Sequence, residues 1–210
     1  MKIRILLIIS ILTHVTLYGQ TIDDIFKTMP ADLLPGISEN NRAFLLINKD
    51  NASVPYTFGE ISKEEHGDTY IRIRTSDIGD TQIKLLPVAN DSMIVSVVNT
   101  VCGGIDKKVC SSDISFYTTE WKKIDDESLF PKIDAESFIN HEANGNIDLK
   151  YIISLIDIEP ISIKYNDLSN NMVLTLNYKN YVSPDVLKQI EAIIKEDSIT
   201  LKWDGKRFNL

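Results

Sequence analysis

Cysteine, histidine and glycine are all scarce in this chain of 210 residues, which has two Cys, three His and nine Gly. A structural or catalytic zinc site draws three or four ligands chiefly from Cys and His, and two isolated cysteines with no His motif beside them do not supply one. No Gly-rich phosphate loop, nucleophile elbow or His-Glu-x-x-His string occurs, so no catalytic, cofactor-binding or metal-ligating residue can be named and no cofactor is expected. Positive charge is also short: 22 Lys and Arg stand against 30 Asp and Glu, a formal net charge of −8. A nucleic-acid binder needs a local excess of basic residues. The densest basic spots, Lys107-Lys108 and Lys122-Lys123, are lone pairs that read as solvated loop charges, which excludes nucleic acid as a partner. Nor is there an apolar run of the roughly 20 residues that a membrane-spanning helix requires.

What is there begins with a three-part leader. Lys2 and Arg4 form a positive end, residues 5–12 an apolar run, and Gly19 a small residue before a cut that would leave Gln20 first. Leu17 departs from the small residue usual three positions before such a cut. Residues 1–19 are thus expected to be a signal peptide, with residues 20–210 as one mature domain in the periplasm or outside the cell. Loss of Lys2 and Arg4, with no acid in that stretch, takes the charge from −8 to −10. No Cys lies near the cut, so a lipoprotein is not expected.

Both cysteines, Cys102 and Cys110, lie in the mature part, and in an oxidising compartment an even count suggests a bridge. The apolar run 93–101 ends at Cys102, Gly103-Gly104 supplies a turn, and another strand-like run begins after Cys110. A disulfide there would close the mouth of a hairpin, worth about 2.5 kcal/mol for a loop of about nine residues by the chain-entropy estimate. A free catalytic Cys is the alternative, with no second motif to support it.

The pattern along the chain predicts an α+β fold. Thr21 can cap a short helix with Asp23 and Asp24 in its first turn and Ile22, Ile25, Phe26 and Met29 as its stripe, stopped by Pro30. Ser38 opens a second helix through Arg42, Phe44, Leu45 and Leu46 to Asn48. From Tyr70 the period becomes two: residues 70–74, 82–87, 93–101 and 113–119 follow each other at hairpin distances, which predicts an antiparallel meander. Residues 121–131 are polar and irregular. Beyond them Ile147, Tyr151, Ile152, Leu155 and Ile156 fit a helical stripe, and residues 161–165 and 172–178 a hairpin. Ser183-Pro184-Asp185 caps a helix whose buried face is Val186, Leu187, Ile190, Ile193 and Ile194, and residues 199–203 form a last strand. Helices are expected on one face of the sheet. Because helices precede strands twice, two pseudo-repeated halves, 20–125 and 130–210, are an alternative to one continuous fold.

Several strings together are distinctive: Thr21-Ile22-Asp23-Asp24-Ile25-Phe26 with Leu33-Leu34-Pro35, then Lys84-Leu85-Leu86-Pro87, Phe116-Tyr117-Thr118-Thr119-Glu120-Trp121, and Trp203-Asp204-Gly205-Lys206-Arg207-Phe208. They resemble a family of exported Bacteroides-type proteins of unknown function, over nearly the whole mature chain. The resemblance implies an envelope or secreted location and carries no catalytic residues. Such bacteria glycosylate Asp followed by Ser or Thr and an aliphatic residue, a pattern met by Asp91-Ser92-Met93 and Asp197-Ser198-Ile199, although turn chemistry explains both.

Other candidates have bland counterparts. His66, after Glu64-Glu65, reads as a solvent-exposed turn residue, and His141 lies in no motif. Asn140, Glu142, Asn144, Asn146 and Asp148 place oxygens as calcium loops do, yet the twelfth position from Asn140 is Tyr151 rather than Glu. Asp125-Asp126 could serve glycoside hydrolysis but reads as solvated charge. Tyr117, Trp121, Tyr165, Tyr178, Tyr181 and Trp203 could line a glycan or peptide surface or pack across strands. The leading expectation is therefore an exported, non-catalytic module that binds a protein, peptide or glycan. A secreted hydrolase with dispersed carboxylates and an inhibitor of a secreted enzyme are the alternatives.

Overall fold

The structure is a computed structural model, and it describes residues 20–47, 52–57, 59–104, 106–140, 151, 154, 160–166, 169–180 and 182–210. Antiparallel sheet dominates it. Two helices, α1 (Ile22–Thr28) and α2 (Glu39–Ile47), precede β1 (Ser53–Tyr56), β2 (Gly59–His66), β3 (Tyr70–Arg74), β4 (Gly79–Pro87), β5 (Met93–Gly103), β6 (Val109–Thr118) and β7 (Lys123–Ile124). These strands make one seven-stranded meander in sequence order. After them come β8 (Ile161–Tyr165), β9 (Met172–Leu176), helix α3 (Pro184–Glu191), β10 (Ser198–Trp203) and β11 (Phe208–Asn209). The last four strands form a second sheet in the order β11-β10-β9-β8. Of the expected helix over 147–156 only Tyr151 and Ser154 are described, both helical; the oxygen-rich stretch beyond Asn140 lies outside the described residues, as do residues 1–19, His141 and Tyr181.

Local chemistry sets these elements. The Thr21 hydroxyl accepts from the Asp24 amide at 3.2 Å, and the Asp24 carboxylate accepts from the Thr21 amide, a reciprocal cap that starts α1. Donation from the Thr21 hydroxyl, and then from the Thr21 amide, holds the Asp24 carboxyl below its ordinary pKa. Ser183 caps α3 through the Val186 amide, with Pro184 in the first turn where its missing N–H costs nothing. The β4–β5 turn places Asn90 and Asp91 in the left-handed region, at φ 62° and 55°, which these two residue types tolerate better than most. The β3–β4 turn falls over residues 75–78 rather than at Gly79-Asp80, which already belong to β4.

Residues i and i+2 of a strand share a face, and the meander uses both faces. Ile71, Ile73, Ile83, Leu85, Val95 and Val97 pack with Ile25 and Phe26 of α1 and Leu45 of α2. The opposite face supplies Tyr70, Leu86, Val98 and Phe116 to a second core with Ile163, Tyr165, Leu174, Leu201 and Phe208 of the small sheet and Ile190 at the end of α3. The seven-stranded sheet is thus buried on its two sides by different partners.

The small sheet meets the large one through polar groups. Gln82, buried in β4, donates from Nε2 to the Ile163 carbonyl at 2.8 Å and accepts from the Tyr165 amide at 3.0 Å. Ser112 of β6 accepts from the Ile163 amide at 2.9 Å, and the Tyr165 hydroxyl donates to Ser96 at 2.7 Å. The open edge of β8, which would otherwise leave buried backbone groups unpaired, is therefore closed by side chains. Burial raises the Tyr165 phenol well above its ordinary pKa.

Candidate functional site

A cleft of about 700 Å³ opens where the start of α1, the end of α2 and the β2–β3 turn come together. Its apolar wall is Ile22, Leu46 and Ile47, and its polar wall is Asp23, His66 and Asp68. Ile47 is 77% exposed and Phe44, one helical turn earlier on α2, 47% exposed, so this end of the helix presents apolar surface to solvent. His66 Nε2 lies 2.7 Å from Asp23 Oδ1, which ties α1 to the β2–β3 turn. The nearby Thr21 hydroxyl donates to Asp24 Oδ2 at 2.8 Å. It is spent on the helix cap and is not aligned with the His–Asp pair as a nucleophile.

A second concentration of charge crosses β2, β3 and β4 on the side facing the small sheet. Arg72 donates to Glu65 Oε1 from Nε at 2.8 Å, with Nη2 2.6 Å from the same oxygen. Lys164 of β8 approaches that oxygen at 3.8 Å. Arg74 pairs with Glu64 at 3.1 Å and donates to Ser62 at 3.0 Å. Asp80 completes the group beside a cavity of about 180 Å³. Burial raises the Asp80 carboxyl above its ordinary pKa, and Arg72 only partly offsets this. For Arg72, burial works against the charge, but Glu65 outweighs it and the guanidinium is held above its usual value. Glu65 Oε2 and Asp80 Oδ1 are buried without a hydrogen-bond partner. The sequence signal for this group was the alternation Tyr70-Ile71-Arg72-Ile73-Arg74, whose arginines join a charged seam, Arg72 half-buried and Arg74 exposed.

The remaining candidates have structural roles. Asp125 accepts from the Glu127 amide at 3.3 Å to start a 3₁₀ turn, and Asp126 accepts from the Phe116 amide at 3.0 Å, so this pair does not face a cleft as two acids. Of the aromatics, Tyr117, Tyr165 and Tyr178 are buried. Trp121 packs on Tyr117 and donates to Thr28, and Trp203 packs on Phe208 and donates to the Pro87 carbonyl at 2.6 Å. These five build the core and its rims, and among the described residues they form no open stacking platform. Ser92 is exposed in the β4–β5 turn, whereas Ser198 is bonded to Thr175 and Asp197 holds Lys179 and Tyr178. Lys107 and Lys108 pair with Asp77 and Asp106.

Cys102 and Cys110 stand opposite each other in the β5–β6 register at disulfide distance, with Cα atoms 4.0 Å apart. No described helix is long and apolar enough to cross a membrane. Among the described residues no group of three or more His, Cys, Asp or Glu is placed to hold a metal ion.

No curated protein matches the chain. A solved structure, a domain of an uncharacterized protein from Porphyromonas gingivalis W83, is similar in fold: its TM-score is 0.79 at 20% identity, over 90% of this chain and 96% of that one. The model of the family described as protein of unknown function (DUF3256) matches residues 14–208, and the chain belongs to that family.

Proposed function

We propose that the protein is exported on residues 1–19 and acts in the periplasm or outside the cell as a non-catalytic module that binds a protein partner. The observation that carries this reading is the 700 Å³ cleft, in which exposed Ile47 stands beside Asp23 and Asp68 while the Thr21 hydroxyl at its edge is consumed by a helix cap. Apolar exposure rimmed by charge is a docking surface in physical terms, not a reaction site. The opposed cysteines support an oxidising compartment. The loss of the aromatic platform counts against a glycan as the ligand, since Tyr165 and Tyr178 are in the core. Residues 20–210 act as one unit in this reading, because one core takes Tyr70, Val98 and Phe116 from the first half and Ile163, Leu174 and Leu201 from the second. Expressed separately, residues 20–125 and 130–210 are expected to stay unfolded, and two folded halves would support the pseudo-repeat instead. The test of function is a pull-down from the cell envelope and medium with the purified protein; a protein that captures nothing, and binds nothing on glycan arrays, removes the reading.

A second reading rests on Asp80. A carboxyl raised by burial beside Glu64 and Glu65 is the arrangement a hydrolase with dispersed acids would need. Each glutamate there is already paired with an arginine, which ranks this reading below the first. Hydrolysis of any glycoside or peptide substrate that is abolished by Asp80→Asn would reverse the order.

A further inference from the structure

Resting on that binding role, we infer that the cleft between α1, α2 and the β2–β3 turn takes a short basic amphipathic segment of a partner protein. Two features select this occupant. The helical positions Phe44 and Ile47 are three apart and share one side of α2, so they form a short apolar strip that continues into the cleft through Leu46 and Ile22. A helix laid in a groove is read by anchors at this same spacing. Opposite the strip stand Asp23 and Asp68; among the described residues lining the cleft, His66, paired with Asp23, is the one basic side chain. A cleft with two carboxylates, on a chain of net charge −8, draws a cationic segment and repels an acidic one. The apolar strip makes the contact, and the carboxylates set its sign and orientation. A second copy of this chain would bring the same acids against these and is disfavoured on the same ground.

The test is fluorescence anisotropy of the purified full chain with two labelled peptides that share one leucine stripe and differ in carrying Lys or Glu on the other face. The Lys peptide is expected to bind, with affinity falling as salt rises, and the Glu peptide is not. Ile47→Glu should lower the affinity about tenfold or more, the factor expected for one lost buried aliphatic contact. Asp68→Asn, on an exposed turn and free of packing risk, should weaken binding and flatten its salt dependence. Equal binding of both peptides, or binding unchanged in Ile47→Glu, overturns the inference. So does a dimer in sedimentation that Ile47→Glu dissociates, since the strip would then belong to a second copy. If neither peptide binds while an envelope partner is captured equally by the parent and Ile47→Glu, the inference falls and the binding role stands. If nothing is captured either, both fall.

Discussion

Replacing Gln82 by Ala removes a buried polar link between the two sheets. The side chain is 2% exposed and makes three bonds, donating to the Ile163 carbonyl and accepting from the Tyr165 amide and the Tyr70 hydroxyl, the last at 3.2 Å. The two backbone groups belong to an edge strand and have no other strand to turn to on that side. Each buried polar group left unpaired costs about 1–3 kcal/mol, and water entering the vacated space recovers part of it. A loss of about 2–4 kcal/mol follows, a large share of the about 5–15 kcal/mol that holds a domain together. In a chain of this size that lowers the thermal midpoint by about 5–15 °C. Thermal unfolding followed by circular dichroism reads the midpoint, and native-state hydrogen exchange reads the location. The Tyr165 amide should exchange faster in Gln82→Ala, and more so than that of Leu174 in the centre of the small sheet. Gln189→Ala, which removes a solvent-exposed bond to Asp185, is the control and should leave both readouts alone. A midpoint equal to the parent's, with Tyr165 still protected, would refute the idea that a side-chain amide closes this edge.

Three further outcomes are expected. Cys102→Ser with Cys110→Ser should cost about 2.5 kcal/mol through the freed hairpin loop, measured as a shift of the denaturant midpoint with an unchanged slope. Asp80→Asn should stabilise the protein at neutral pH: the carboxyl is raised in the fold by burial, so ionising it there costs stability. The advantage of the Asn variant should shrink as pH falls through the folded-state pKa towards the ordinary carboxylate value; a variant less stable than the parent at neutral pH contradicts that sign. Ser183→Ala should remove the α3 cap and cost about 1 kcal/mol in urea titration, with the rest of the fold intact.

Much of the architecture was legible because it rests on local chemistry. The cap at Thr21, the Ser183-Pro184 start and the alternation at 70–74 all name their elements without reference to the rest of the chain. The first two strands were not legible. Gly59–His66 runs through Ser62, Lys63, Glu64 and Glu65, and no apolar period marks it, because its residues facing the small sheet are ion-pair partners. Lys63 itself is 2% exposed, against every expectation for a lysine in a polar run. Ser53–Tyr56 contains Pro55, which argues against a central strand and is tolerated because β1 is the edge of the sheet. The cleft could not be read at all. Asp23, Ile47 and Asp68 come from three elements, and His66, read as an exposed turn residue, is exposed but is the last residue of β2, paired with Ile71, and meets Asp23 across 43 residues. Only the packing of α1 and α2 on the sheet creates that meeting.

The compartment underlies the functional reading, since a partner outside the cytoplasm and a joined cysteine pair both follow from export. Intact-mass spectrometry of the protein isolated from its native cell, with and without reduction, tests it most directly. The account predicts a chain that starts at Gln20 and gains two hydrogens on reduction; a chain that still carries residues 1–19, with Cys102 and Cys110 both open to alkylation before any reductant is added, would contradict it.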